Sequence, residues 1–236
     1  MIGRVYAPNR NAKWKAFFEC YETAFENSQS QNIVVVEIGS QDVNGSLREV
    51  CPAKFKYIGV DFIKAKNVDI VLEDPYVLPF ENNSVDVVVS SSCFEHSEFF
   101  WLVYLEVMRV LKPKGIFYLN VPSRGLYHQY PVDCWRFYPD SGIALSNWGK
   151  RNGFDNICLE SFTQRRGVWG DFVAVFLKDR AYCPVFTKKI IDSKRDYING
   201  KSELMGDSIL NKLLLNNGDQ HAVMKFIPKV LRKLLF

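Results

Sequence analysis

Long apolar runs, paired cysteines and a complete glycine fingerprint are all missing from this chain of 236 residues. No apolar stretch reaches the roughly 18 residues of a membrane span, and the opening MIGRVYAPNRNAKWK has no signal-peptide core. The six cysteines, at 20, 51, 93, 134, 158 and 183, show neither C-x-x-C nor zinc spacing. That argues against a disulfide framework and for a reducing cytosol. A net charge of +4 is too mild to imply a nucleic-acid partner. Histidine is scarce, at 96, 128 and 221 only, so any imidazole chemistry falls to these three. Apolar residues make up 47%, which rules out disorder as the main state. The length suits one α/β domain plus an appendage, or at most two small domains.

What is present centres on residues 33–45, IVVVEIGSQDVNG, and on Asp61. A short β-branched run ending in a Gly/Ser/Asn/Asp cluster reads as a strand buried on both faces of a parallel sheet. Gly39 frees the backbone to turn, and Gly45 relieves crowding at the start of an expected helix. A second strand, 57–60, stops at Asp61, 22 residues after Gly39. Strand, turn, helix, strand and acid is the mononucleotide-binding half of a doubly wound sheet, where a carboxylate grips ribose hydroxyls. The pattern is not G-x-G-x-x-G, because Gln41 occupies the second glycine position. A pyrophosphate needs bare backbone there. Glu37, two residues before Gly39, suits a cationic amine better.

Further strands are expected at 68–72, 85–89 and 116–121, with amphipathic or buried helices at 12–25 and 99–111. Strand-like runs at 156–162 and 171–177 flank TQRRGVWG, a hairpin-length connection. Five strands with helical crossovers argue a parallel sheet covered on both faces.

In order, EIGS at 37–40, GVD at 59–61, EDPYVLPFENNSVDVVVSS at 73–91 and EVMRVLKPKGIFYLNVPS at 106–123 resemble the class I S-adenosylmethionine (SAM) methyltransferases of the type 11 kind. The resemblance spans about residues 33–178. It implies an α/β, Rossmann-like, doubly wound, seven-stranded sheet whose last strand is antiparallel, with SAM as cofactor. It places the methionine end of SAM near Glu37, Gly39 and Ser40. Asp61 would take the ribose hydroxyls and Phe62 the adenine face. Asp74 would accept from the adenine amino group, and Ser91, at the small-residue end of the fourth strand, joins this set.

An oxygen acceptor benefits from a base within hydrogen-bond reach. His96 sits just past the fourth strand, at the carboxyl edge where α/β sheets bind ligands. Glu95-His96 resembles half of the metal-binding E-x-x-E-H run of small-RNA 2′-O-methyltransferases and ubiquinone-pathway O-methyltransferases. The first Glu of that run falls at Ser92, and two adjacent ligands make no cage, so no metal is expected. After the fifth strand, residues 127–138 gather His128, Asp133, Trp135, Arg136 and three Tyr, Tyr127 among them. Aromatic faces with hydrogen-bonding side chains suit a sugar. The run Y-H-x-Y-P-V-D-C-W-R-F-Y-P-D resembles methyltransferases of glycan and surface-polysaccharide biosynthesis. His128, oriented by Asp133, and His96 are the base candidates. Tyr127, Trp135, Arg136 and Glu95 are the acceptor-binding candidates, Trp135 and Phe137 being equally at home in a core.

The expected activity is therefore SAM-dependent O-methylation of a sugar hydroxyl in a glycan or glycan precursor. The alternatives are a lipid, quinone or other small-molecule acceptor, or a SAM-fold scaffold without catalysis. The methyltransferase domain is expected over 1–180. A basic, partly helical extension follows over 181–236, carrying ten Lys/Arg against five Asp/Glu. Residues 199–207 read as a loop. Residues 222–236, with four bases, no acid and apolar residues at 226, 227, 230, 231, 234 and 235, read as a helix. It would lie on an anionic membrane where lipid-linked glycans are made, or dock on the domain or on a second copy in a homo-oligomer. The expected location is cytoplasmic, peripheral to the inner face of a membrane.

Overall fold

Side-chain alternation along the strands sets the layers. The computed structural model describes residues 10–26, 32–43, 45–164, 169–193 and 196–212. In β1 (Val34–Ile38) Val35 packs into one core while Val36 and Ile38 pack into the other. β4 (Val85–Ser91) divides Val87 and Val89 from Val88, and β5 (Leu111–Arg124) divides Ile116 and Tyr118 from Phe117 and Leu119. Period-two alternation with apolar residues on both sides requires cover on both faces.

On one face α1 (Arg10–Glu26) lays down Trp14, Phe17, Phe18, Tyr21 and Phe25, a stripe at helical spacing. Each such buried side chain contributes about 1.5–3 kcal/mol. On the other face lie α2 (Phe100–Val110), through Val103, Tyr104, Val107 and Met108, and α3 (Asp140–Arg151), through Leu145.

The remaining strands are β2 (Lys56–Asp61), β3 (Ile70–Val71), β6 (Ile157–Gln164), β7 (Gly170–Leu177) and β8 (Tyr197–Lys201). The sheet order is β3-β2-β1-β4-β5-β7-β6-β8. From β3 to β5 neighbours are parallel. β7 runs antiparallel to both β5 and β6, as expected for the last strand of a seven-stranded sheet. β8 adds an eighth strand, antiparallel to β6.

Two local expectations are corrected. The helix awaited after Gly39 is a single 3-10 turn, Leu47–Val50, capped by Ser46 Oγ, which accepts the Arg48 amide at 3.1 Å. The segments from β2 to β3 and from β3 to β4 hold no helix either; Asn67 and Asn83 turn them with φ of 70° and 57°. Residues 199–207 are not a plain loop, since they begin inside β8. The anchor is Glu160, buried on β6. It accepts the Tyr21 hydroxyl at 2.6 Å and the Ile190 and Ile191 amides at 2.9 Å each. This pins α4 (Ile190–Ser193) and delivers the following residues to the open edge of β6. Glu203 then accepts the Cys158 amide at 2.9 Å. The basic stretch 222–236 and His221 lie outside the described residues.

The 78–82 turn is held by α2. Arg109 donates to the Leu78 carbonyl at 2.9 Å and the Phe80 carbonyl at 2.8 Å, while Glu106 accepts the Leu78 amide at 2.9 Å. The two blocks that carry the strongest family resemblance are thus bonded to each other.

Candidate functional site

Between β1 and β4 the chain order reverses: β2 and β3 lie to one side, β4 and β5 to the other. Such a switch point opens a crevice at the carboxyl ends of the strands. Glu37, Gly39 and Ser40 close β1, Asp61 closes β2, Ser91 closes β4, and Asn120 stands at the Ser91 register on β5.

Gly39 turns with φ +74°, and a Cβ there would stand 2.5 Å from Cys93 Cβ. Its lack of a side chain therefore lets the β1 turn pack on the β4 loop. Ser40 is buried, and its Oγ has no hydrogen-bond partner; the same holds for Asn120 Oδ1, whose Nδ2 donates to Ser91 Oγ at 3.1 Å. Buried polar atoms are normally satisfied, so unpartnered ones at a crevice suit a polar ligand. Asp61 is buried and accepts the Gln41 amide at 3.2 Å through Oδ2 and the Ile63 amide at 3.3 Å through Oδ1. Each oxygen keeps a further lone pair for a hydroxyl. Phe62, beside it, is exposed. Glu37 is buried against Ser46, and burial lifts its carboxyl to about 7 even though the Tyr57 and Ser46 hydroxyls and the Leu47 amide pull it down. These groups fit a cofactor with hydroxyls and a cationic end. Asp74 joins them least: it is exposed, and its Oδ1 accepts the Tyr76 amide at 2.8 Å in a local turn before Pro75.

The second cluster lies past β4 and β5. His96 and His128 meet edge to face with ring centroids 5.0 Å apart. His96 Nδ1 is hydrogen-bonded to the Val132 carbonyl. His128 Nδ1 lies 3.3 Å from both the Leu126 carbonyl and Asp133 Oδ2. A carbonyl or an ionised carboxylate only accepts, so both Nδ1 atoms carry hydrogen, and Nε2 is the nitrogen that bears the lone pair whenever either ring is neutral. Burial, with His128 next to it, lowers the His96 pKa and favours this neutral form. Glu95 is buried, with Oε1 3.7 Å from His96 Nε2. Among the described residues, donor atoms of Glu95, His96 and His128 lie within 4.8 Å of one another.

Asp133 takes the His128 amide at 2.7 Å and a two-pronged pair from Arg136 at 2.5 and 2.7 Å. The guanidinium, foremost, holds its carboxyl down at about 2. Arg136 also donates to the Leu126 and Trp135 carbonyls. Both terminal nitrogens of Arg136, expected to hold an acceptor, serve the loop itself. Trp135 donates to the Ser97 carbonyl at 3.0 Å and packs edge-on against Phe100, so it braces the loop; Phe137 is core. Tyr127 is the most exposed aromatic residue of the loop.

Three features escaped sequence reasoning. Trp169, from the start of the β7 hairpin arm, stands edge-on to His128 at 5.1 Å. Tyr130 donates to Gln41 Oε1 at 3.2 Å, joining the loop after β5 to the loop after β1. Gln41 was legible only as a missing glycine. The third is Cys93 under Gly39, for which the sequence held no signal.

The family model described as "Methyltransferase domain" matches residues 29–119, from just before β1 into β5. No curated protein matches the chain. Among solved structures, the CurJ carbon methyltransferase is 16% identical, covering 70% of this chain and 54% of that one with a TM-score of 0.52. A SAM-dependent methyltransferase from Aquifex aeolicus is 14% identical, covering 73% and 99% with a TM-score of 0.45. The [4+2]-cyclase SpnF is 13% identical, covering 68% and 81% with a TM-score of 0.47. The matched stretch contains the ends of β1, β2 and β4 that line the crevice, which is thus the crevice of an enzyme of methyl transfer whose cofactor is S-adenosylmethionine.

Proposed function

We propose that this enzyme is an O-methyltransferase acting on a hydroxyl, most simply a sugar hydroxyl of a glycan or glycan precursor. The observation that carries the reading is the pair of imidazoles that meet beside the cofactor crevice, each with Nδ1 engaged, so that Nε2 is the position left to accept a proton. A hydroxyl is a poor nucleophile until its proton is taken, and groups within hydrogen-bond reach that accept it are what O-methylation needs. SAM supplies a methyl already activated on a sulfonium, so the chain's main task is alignment.

In this reading Asp61 accepts from the ribose hydroxyls, and Phe62 lies against the adenine. Ser40 and Asn120 satisfy their free oxygens on the cofactor, and Glu37 faces its cationic end. His96 and His128 assist loss of the acceptor proton. Asp133 and Arg136 are positioning residues that fix the His128 ring. Tyr127 offers an exposed ring for a sugar face, and Trp135 braces the loop against Ser97 and Phe100. Among the described residues no helix is long and apolar enough to cross a membrane; the approach to a lipid-linked acceptor is assigned to residues 222–236.

The test is incubation of the purified full chain with SAM and a panel of hydroxyl acceptors, read by mass spectrometry. A gain of one methyl on oxygen is expected, with turnover in His128→Ala reduced by about 10²–10⁴-fold and S-adenosylhomocysteine affinity kept. Methylation confined to nitrogen or carbon, or full turnover in His128→Ala, would sink the reading.

A further inference from the structure

We propose that Glu95, His96 and His128 form a binding site for one divalent first-row transition ion. The donor set is one carboxylate oxygen and two imidazole nitrogens, all within 4.8 Å of one another. Donors bound at about 2.1 Å to one ion stand roughly 3 Å apart, and His96 Nε2 already lies 3.7 Å from Glu95 Oε1. Side-chain rotations that shorten the widest separation by about 2 Å close the rest. Two residues come from the turn after β4, and the third arrives from the loop after β5, 32 positions later. Adjacent Glu95-His96 is no cage by itself; the fold supplies the missing donor.

A second observation points to an ion independently of this spacing. Metal-ligating imidazoles characteristically donate their other N–H to a carbonyl or carboxylate, which fixes the tautomer and the ring. Both histidines do so here: His96 to Val132, and His128 to Leu126 and Asp133. Asp133 is itself locked by Arg136 at 2.5 and 2.7 Å. With Nδ1 engaged in both rings, Nε2 is the nitrogen each has left to offer an ion. Burial is graded in the right sense, since the side chain of Glu95 is 1% exposed, that of His96 12% and that of His128 37%. The ion would be anchored on the inside and open toward solvent on the His128 side. Two imidazoles and one carboxylate suit ions of the Mn²⁺, Fe²⁺, Co²⁺ and Zn²⁺ group better than Mg²⁺ or Ca²⁺, which prefer oxygen.

Its role rests on the O-methyltransferase reading. An ion on this site would lower the pKa of an acceptor hydroxyl approaching its open side, and the proton would leave to water. The oxygen pair would then form the new O–C bond as the S–C bond breaks, its pair remaining on sulfur. The imidazoles would serve as ligands, and the ion would do the activating assigned above to their lone pairs.

Co²⁺ alone is the probe, titrated into the metal-stripped full chain and followed by its visible absorption. Cys134 is exposed, and a thiolate charge-transfer band would betray binding there. One equivalent bound at micromolar Co²⁺ without that band is expected. His96→Ala and His128→Ala should each weaken binding by at least tenfold. His128 is partly exposed, so its variant should fold, and a melting curve checks this. No binding at about 1 mM Co²⁺, a thiolate spectrum, or unchanged affinity in both variants overturns the site. S-adenosylhomocysteine binding, measured in parallel, reads the cofactor half. Its survival with no Co²⁺ bound removes the ion and leaves the methyltransferase reading; its loss with Co²⁺ bound does the opposite.

Discussion

The two sides of the crevice are held by different means. On the cofactor side the functional acids grip backbone: Asp61 accepts two amides from its own and the neighbouring turn, and Glu37 is buried against a hydroxyl and an amide. On the acceptor side the loop after β5 is tied at the Glu95 carbonyl, which accepts the Cys134 and Trp135 amides at 2.8 and 3.2 Å, but the functional groups within it are set by other side chains, through the Asp133–Arg136 pair and the edge-on rings of Trp135 and His128. Backbone partners survive changes of sequence around them, whereas side-chain partners must be replaced together. The first side is therefore suited to one unvarying ligand, the second to a specificity that can be rewritten residue by residue.

That contrast is sharpest at Asp61. Removing it should strip two charge-assisted hydrogen bonds from the ribose, at about 1.5 kcal/mol each, so Asp61→Ala should weaken S-adenosylhomocysteine binding by about 100-fold in calorimetry. Arg136→Ala should leave that affinity within about twofold, since its partners all lie in the acceptor loop. Equal losses in both variants would break the comparison.

Glu37 gives the next effect, through stability. Its carboxyl is raised from 4.5 to about 7, foremost by burial. The folded protein therefore holds this proton longer than the unfolded chain does. The associated stability is present below the unfolded pKa and is lost as pH rises through the interval up to about 7. The span corresponds to about 3 kcal/mol. Relative to Glu37→Gln, the native chain should lose stability to urea between about pH 4.5 and pH 7. A constant difference across that window would show that burial does not set this group.

Gly39 tests the turn itself against an uncrowded one. Gly39→Ala meets Cys93 at 2.5 Å in a backbone of φ +74°, whereas Gly153→Ala, at φ +89°, meets nothing within 4 Å. The left-handed backbone alone costs about 1–2 kcal/mol. Gly153→Ala should lose that much in urea denaturation, and Gly39→Ala visibly more. Similar losses would mean that Cys93 yields.

The asymmetry between the two sides also explains what was readable. Glu37, Gly39, Ser40 and Asp61 are legible because they stand at the ends of β1 and β2, and strand ends are marked locally by glycine and acid. The blocks at 78–80 and 106–115 were legible as a family mark, yet here they are a clamp, with Arg109 and Glu106 holding the 78–82 turn. Asp74 was read toward the cofactor from its distance to that turn, while its nearest partner is its own loop. On the acceptor side, composition showed that His, Asp and Arg gather after β5 but not which pairs form. Arg136 looks free in a sequence, whereas both its terminal nitrogens are engaged in the fold. His96 and His128 meet only because β4 and β5 are neighbours. β8 was missed because Asn199-Gly200 reads as a turn; the open edge of β6 and the Glu160 anchor override that propensity.

The smallest expected effect lies where the two sides touch. Tyr130 donates to Gln41 Oε1 at 3.2 Å across the switch point. The bond is exposed, so its net contribution to folding is at most about 1 kcal/mol, and Tyr130→Phe should melt within a few degrees of the native chain. Its consequence should fall on the crevice, because the bond ties the acceptor loop to the turn that Asp61 also holds. Tyr130→Phe and Gln41→Ala should each raise the KM for SAM by about two- to fivefold. The double variant should be no worse than either single one, since both remove the same bond. Additive losses would mean that Tyr130 and Gln41 act separately, and that this bond does not couple the cofactor and acceptor sides.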